Sequence, residues 1–221
     1  MTLASRSFRP SGVYLNHTAA VARPFGYMAD EARDLLDYLL GERWITEFEH
    51  ASVLEGAHLH NRHVIDLLIE REILEEGMLM SVMANRYKTQ FVSLSQLSRT
   101  QVASSILCLI PRADARAYGL VPLRYSASAD VLYVLAARAS DRYALEKVLA
   151  KLTGIRTVRL VIARPAAVQA AFELHYERAP GAMMKLLRRA RWTKPLVDDR
   201  PSDIEALSEM YEPQYAQAAS E

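Results

Sequence analysis

Asp34-Leu35-Leu36-Asp37-Tyr38-Leu39-Leu40-Gly41-Glu42-Arg43-Trp44-Ile45-Thr46 is followed by a stretch of the same apolar pattern, His63-Val64-Ile65-Asp66-Leu67-Leu68-Ile69-Glu70-Arg71-Glu72-Ile73-Leu74-Glu75. The offset is 29 residues, from Ile45 to Leu74, and it is pattern rather than identity that repeats. In the first copy Leu35, Leu36, Leu39 and Leu40 recur at helical spacing and place an apolar stripe on a helix of about three turns. Trp44 and Ile45 then read as buried anchors ahead of Thr46, which has Glu49 three residues later, the pattern of a capping box. A helix through Val53 and Leu54 follows, so each copy reads as a helical hairpin. Neither hairpin hides its apolar face alone, and the two are expected to pack as a small bundle over residues 29–87.

Upstream, residues 1–28 carry Ser, Pro, Gly and Arg without a sustained period and read as an irregular lead-in. Downstream of Tyr87 the texture changes. Phe91-Val92-Ser93-Leu94 is a short strand candidate, Gln101 to Leu109 a helix, and Pro111 opens another helix at its first position that stops at Gly119. Strands are expected over Leu120 to Tyr125 and Val131 to Ala136, separated by a polar turn. Ser140 caps a helix ended by Gly154. Ile155 to Ile162 alternates as a strand, with Val158, Leu160 and Ile162 on one face, and Pro165 starts a helix to Tyr176. This order predicts an α+β lobe over 88–178, a small sheet of about three strands covered by helices. Residues 179–221, with Pro180, Pro195, Pro201 and Pro213, read as a basic segment and a mobile tail.

The chain has 221 residues, 51% hydrophobic and 24% charged, enough to bury a sizeable core. Lys plus Arg (27) nearly balances Asp plus Glu (26), so no global field draws in nucleic acid. Cys108 is the single cysteine; it forms no internal disulfide, and its apolar neighbours read as a buried core setting. The first residues lack a continuous apolar signal region, and no apolar run approaches the roughly 18 residues of a membrane span. A cytoplasmic protein is expected.

Several phrases resemble the N-terminal domain of type II secretion and type IV pilus assembly ATPases, the MshE N-terminal-like domain. Tyr87-Lys88-Thr89-Gln90-Phe91-Val92-Ser93-Leu94 is similar to that family's junction between two lobes. Ile110-Pro111, Tyr118-Gly119-Leu120-Val121-Pro122-Leu123, Leu132-Tyr133-Val134-Leu135-Ala136, Leu152-Thr153-Gly154 and Tyr176 resemble its further phrases in order and spacing. The resemblance runs from about Asp34 to Tyr176. It implies a domain that docks a motor onto a membrane-anchored partner and that in some members binds cyclic di-GMP through the paired helical repeats. No G-x-x-x-x-G-K-[ST] loop occurs here to cradle phosphates. Nucleotide hydrolysis is therefore not expected, and no catalytic residue and no cofactor is assigned.

Repeats of the family that bind the dinucleotide begin Arg-Leu-Gly, where the arginine pairs with phosphate or stacks on guanine. The matching positions are Asp34-Leu35-Leu36 and His63-Val64-Ile65; the later glycine is Arg43 and Glu72, and the closing glutamine is Ala57 and Arg86. Arg33 and Arg62 stand one position early in both copies, a turn of about 100° on a helix. The leading reading is thus a non-catalytic docking or regulatory protein of a secretion, pilus, motility or polysaccharide-export system. Its alternative is a cyclic di-GMP sensor using Arg33 and Arg62 in a rearranged site.

Other clusters have plainer readings. His50, His58, His60 and His63 lack metal-site spacing and read as a solvated linker. Glu70, Glu72, Glu75 and Glu76 read as a solvated face, and Met80 with Met83 as core filling beside Met78. Lys185, Arg188, Arg189, Arg191 and Trp192, beside an apolar side, suggest contact with an anionic membrane surface or an acidic partner, weighed against a helical extension packed back on the domain.

Overall fold

The computed structural model describes residues 29–138 and 142–193. Four helices come first: α1 (Ala29–Gly41), α2 (Glu47–His60), α3 (Val64–Glu70) and α4 (Glu76–Arg86). Then follow β1 (Gln90–Phe91), α5 (Leu94–Arg99), α6 (Ser104–Leu107), α7 (Arg112–Tyr118), β2 (Leu120–Ser126), β3 (Val131–Ala136), α8 (Arg142–Thr153), β4 (Thr157–Ile162), α9 (Pro165–Tyr176) and α10 (Gly181–Thr193). The class is α+β with an N-terminal helical region, as the patterns imply.

The α1 stripe, Leu35, Leu36 and Leu39, meets Val53 and Ala57 of α2, Leu67 and Leu68 of α3, and Leu79, Met80 and Met83 of α4 in one core. Truncating a side chain as buried as Leu36 to alanine costs about 2–5 kcal/mol. Thr46 caps α2 through the reciprocal bonds with Glu49. Of the two expected anchors, only Ile45 is buried; Trp44 is exposed, because the chain leaves α1 through a left-handed Arg43 and neighbouring side chains then point to opposite sides.

The sheet order is β1-β4-β3-β2, with β2 antiparallel to β3 and both β3–β4 and β1–β4 parallel. Val158 and Leu160 of β4 join Leu120, Val121, Leu132, Val134, Leu135 and Leu149 in the second core. Ile162, the last residue of β4, belongs instead to the bundle core, so the end of the sheet is seated in the helical lobe. The Tyr176 hydroxyl lies 3.2 and 3.0 Å from the Leu107 and Ile110 carbonyls, and its ring stacks on Phe172 at 5.0 Å. This ties α9 to the α6–α7 connection.

Several boundaries differ from the sequence reading. Ser93 caps α5 in a box with Gln96, which shortens the first strand to two residues. The helix expected over 101–109 contracts to α6, and Pro111 is the N-cap of α7 rather than its first residue. Gly119 and Gly154 end their helices with φ of 63° and 69°, as expected. Ser140 lies outside the described residues. Cys108 is exposed, not buried. Of the readings for the basic segment, the helical extension packed back on the domain is the one that forms: α10 lays Ala182, Met183, Leu186, Leu187 and Ala190 on the α+β core, where the prolines alone implied extended chain. Pro180 just ahead of it is no obstacle, since the first helical turn does not use that N–H.

Candidate functional site

The two hairpins share their turn atom for atom. In the first, Glu42 N–H donates to Tyr38 O, Arg43 N–H to Leu40 O and Trp44 N–H to Leu39 O; in the second, Arg71 N–H donates to Leu67 O, Glu72 N–H to Ile69 O and Ile73 N–H to Leu68 O. Arg43 and Glu72 both sit in the left-handed region, with φ of 61° and 56°, a conformation that favours glycine. The offset drops to 27 at the far ends: Arg62 N–H donates to Ala57 O, and Thr89 N–H to Ala84 O. Copy two is two residues shorter there, so Ala57 corresponds structurally to Ala84 and not to Arg86.

Of the two candidate arginines, Arg33 lies on the exposed side of α1 and makes no ion pair with a described residue. Arg62, between α2 and α3, is held by Glu70 through two bonds of 2.7 Å. That carboxylate raises the Arg62 pKa, and Arg62 in turn holds Glu70 below the usual carboxylate range. No contact joins Arg33 to Arg62 among the described residues. Asp34 pairs with Arg86 at 2.6 Å, and Arg86 lies over the Tyr38 ring at 4.5 Å.

Glu70 is also the hub of a set of charges the sequence reading missed. Arg164, the N-cap of α9, donates to Asp66 at 2.7 Å and to Glu70 at 3.1 Å, with Arg164 and Asp66 side chains 7% and 5% exposed. Asp66 also accepts the Ala166 N–H, so a residue of α3 caps α9 from the other lobe. Burial pushes the Asp66 carboxyl upward, opposed by Arg164 and the Ala166 amide. Arg189 of α10 approaches Glu70 at 3.4 Å. Removing one member of so buried a pair strands the other charge and costs about 3–5 kcal/mol. The signal in the sequence was Asp66 itself, a lone acid between Ile65 and Leu67 in an apolar run, which demands a partner.

A shallow crevice lies between the lobes near the carboxyl ends of β3 and β4, lined in part by Glu31, His63, Met80, Tyr87, Arg138 and Ile162. Arg138 pairs with Glu31 at 3.2 Å. His63 Nδ1 accepts the Ile65 N–H at 3.3 Å and caps α3; burial, reinforced by Arg138, pushes the imidazole down to about 3. His63 is therefore a neutral capping group and not a solvated linker residue, and the crevice offers an apolar floor with a paired cation. His58 and His60 are exposed at the end of α2, and His50 bonds Asp37 at 2.8 Å. Among the described residues no His, Cys, Asp and Glu group is placed to hold a metal ion.

Glu70 and Glu76 are likewise not a solvated face: Glu76 accepts the Leu94 N–H at 3.2 Å, and burial raises its carboxyl pKa. On α10 the apolar side packs on the α+β core, with Met183 buried and Leu186, Leu187 and Ala190 partly so, and the described cations Lys185, Arg188 and Arg189 stand outside beside exposed Met184. The side chains of Arg191 and Trp192 lie outside the described set. No helix among the described residues is long and apolar enough to cross a membrane.

The family profile of the MshEN domain matches residues 87–182. Over that stretch the chain is similar to the MshEN domain. The matched stretch runs from Tyr87, at the close of the helical lobe, through β1–β4 and α9 to the first turn of α10. It includes the Ile110-Pro111 and Tyr176 phrases that the Tyr176 hydroxyl brings together. A solved structure of MshE with cdg is similar at 25% identity and a TM-score of 0.47, covering 64% of this chain and 98% of that chain. No curated protein matches.

Proposed function

We propose that the protein is a non-catalytic docking or regulatory component of a membrane-associated assembly of the secretion, pilus, motility or polysaccharide-export kind, acting through a protein partner on the cytoplasmic side. The observation that carries this reading is the attachment of the MshEN-like region to the helical lobe. MshEN is a regulatory domain, not itself catalytic, and the Arg164–Asp66–Glu70–Arg62 set fastens the matched region to the second hairpin, so both lobes present one surface to a partner. A proximity-labelling fusion at the native locus should enrich membrane-anchored assembly proteins over a fused control, and less so with Arg164→Ala. Equal labelling by fusion and control would sink the reading.

A second reading, cyclic di-GMP sensing, is supported by the turn shared between the repeats and by the 29-residue spacing of Arg33 and Arg62 in the sequence. Against it, Leu36 and Ile65 are buried where the dinucleotide needs close backbone approach, and Arg62 is already bound to Glu70. Calorimetry with cyclic di-GMP, with cyclic di-AMP and GTP as controls, separates the two. Docking alone expects no heat at high micromolar ligand. The sensor expects saturable heat that Arg62→Ala abolishes and Glu70→Gln strengthens.

A further inference from the structure

The outward face of α10 is cationic. Met183, Leu186, Leu187 and Ala190 turn into the α+β core, leaving Lys185, Arg188 and Arg189 outside with Met184 among them, itself 50% exposed. Arg189 is shared with Glu70, while Lys185 and Arg188 form no ion pair with any described residue. The sequence that follows is acidic. Between residues 198 and 212, outside the described residues, Asp198, Asp199, Asp203, Glu205, Glu209 and Glu212 stand against one cation, Arg200. Ile204, Leu207 and Tyr211 are interleaved with these acids. The net charge of +1 is thus the balance of a basic body and an acidic end.

We propose that residues 198–212 dock on the cationic face of α10 in the same molecule. Charge complementarity favours it, and the interleaved apolar residues match exposed Met184. The reach suffices: Lys185 lies about 12 Å along the helix from Thr193 at about 1.5 Å per residue, and the five residues to Asp198 span up to about 17 Å. A chain reversing near Pro195 therefore brings its first carboxylates alongside Arg188 and Arg189. The tether supplies an effective concentration in the millimolar range, so individually weak, salt-screened pairs are enough. This contact goes beyond the proposed function: it keeps the basic face of the MshEN-like body occupied by the chain itself.

Zero-length carbodiimide cross-linking of the full chain, read by peptide mass spectrometry on a mixture of nitrogen-15-labelled and unlabelled protein, tests it. The expected product joins Lys185 to carboxylates of 198–212 within single chains, and its yield falls severalfold at about 1 M salt. Tail cross-links spread evenly over Lys147 and Lys151 of α8 would overturn the proposal. So would links found only between labelled and unlabelled chains, which would make a second copy the occupant. Vesicles containing phosphatidylglycerol give an independent reading: Asp198→Asn, Asp199→Asn, Asp203→Asn and Glu205→Gln combined should raise vesicle affinity about tenfold by unmasking α10. An unchanged affinity, or equally tight binding by the unaltered protein, would count against the tail and for an open face.

Discussion

The first hairpin, α1–α2, and the second, α3–α4, have the same turn, yet the first reaches the α+β lobe through the Glu31–Arg138 pair while the second is bolted to it by the more deeply buried Asp66–Arg164 pair. Position by position the reason is charge. Asp37, in the first copy, is exposed and pairs with His50; its counterpart Asp66 is buried against Arg164. Gly41 offers Arg33 nothing eight residues on, whereas its counterpart Glu70 takes Arg62 in two bonds. Asp34 reaches out to Arg86, whereas His63 turns inward and caps α3. A shared turn thus fixes where these side chains stand, and the side chains decide which copy carries the buried charge contact with the α+β lobe.

The sharpest way to break this comparison is to remove the acid from each copy. Asp66→Ala should lower stability by about 3–5 kcal/mol in urea denaturation, by stranding buried Arg164, while Asp37→Ala should stay within about 0.5 kcal/mol because that pair is exposed. Equal losses would mean that the two positions are not distinguished by burial. Next in size is the pH dependence of the second copy. Unfolded His63 takes a proton near its ordinary value, while the folded imidazole stays neutral to about 3. Its share of stability is full above the unfolded value near pH 6.5 and is lost as pH falls toward 3. Between pH 7 and pH 5 that amounts to about 1–2 kcal/mol. His63→Asn, which keeps an acceptor for the Ile65 N–H, should flatten this slope, and parallel denaturation curves for variant and parent across that range would refute the assignment. Smallest, and shared by the copies, is the left-handed turn residue: Arg43→Gly and Glu72→Gly should each add about 0.5–1 kcal/mol, seen as a rise in Tm. Opposite signs in the two copies would undo the repeat.

Local chemistry made much of this architecture legible. The Leu35 to Leu40 stripe, the Thr46–Glu49 box, the strands at 120–126 and 131–136 and the stops at Gly119 and Gly154 are all written within a few residues of where they act. What stayed hidden depends on partners far along the chain. Asp66 and Arg164 are 98 positions apart, so neither position announced the other. For α10 the sequence pointed two ways, the prolines beyond Arg178 toward extended chain and the apolar side of 183–192 toward a helix packed back on the domain, and the surface offered by the α+β core decided for the helix. Arg62 was visible as a candidate, though not that Glu70, read as a solvated acid, would already hold it.

The seating of Ile162 in the bundle core sets an order of events during synthesis. When Arg86 leaves the ribosome, all four helices of the bundle exist as sequence, but the residue that completes their core comes seventy-odd positions later. At about 5–20 residues per second that is a wait on the order of 4–15 s. Throughout it Asp66 has no Arg164 and the sheet end of the bundle is bare. The nascent helical lobe is therefore expected to be the segment that chaperones meet, and it reaches its final stability only when β4 and the start of α9 emerge.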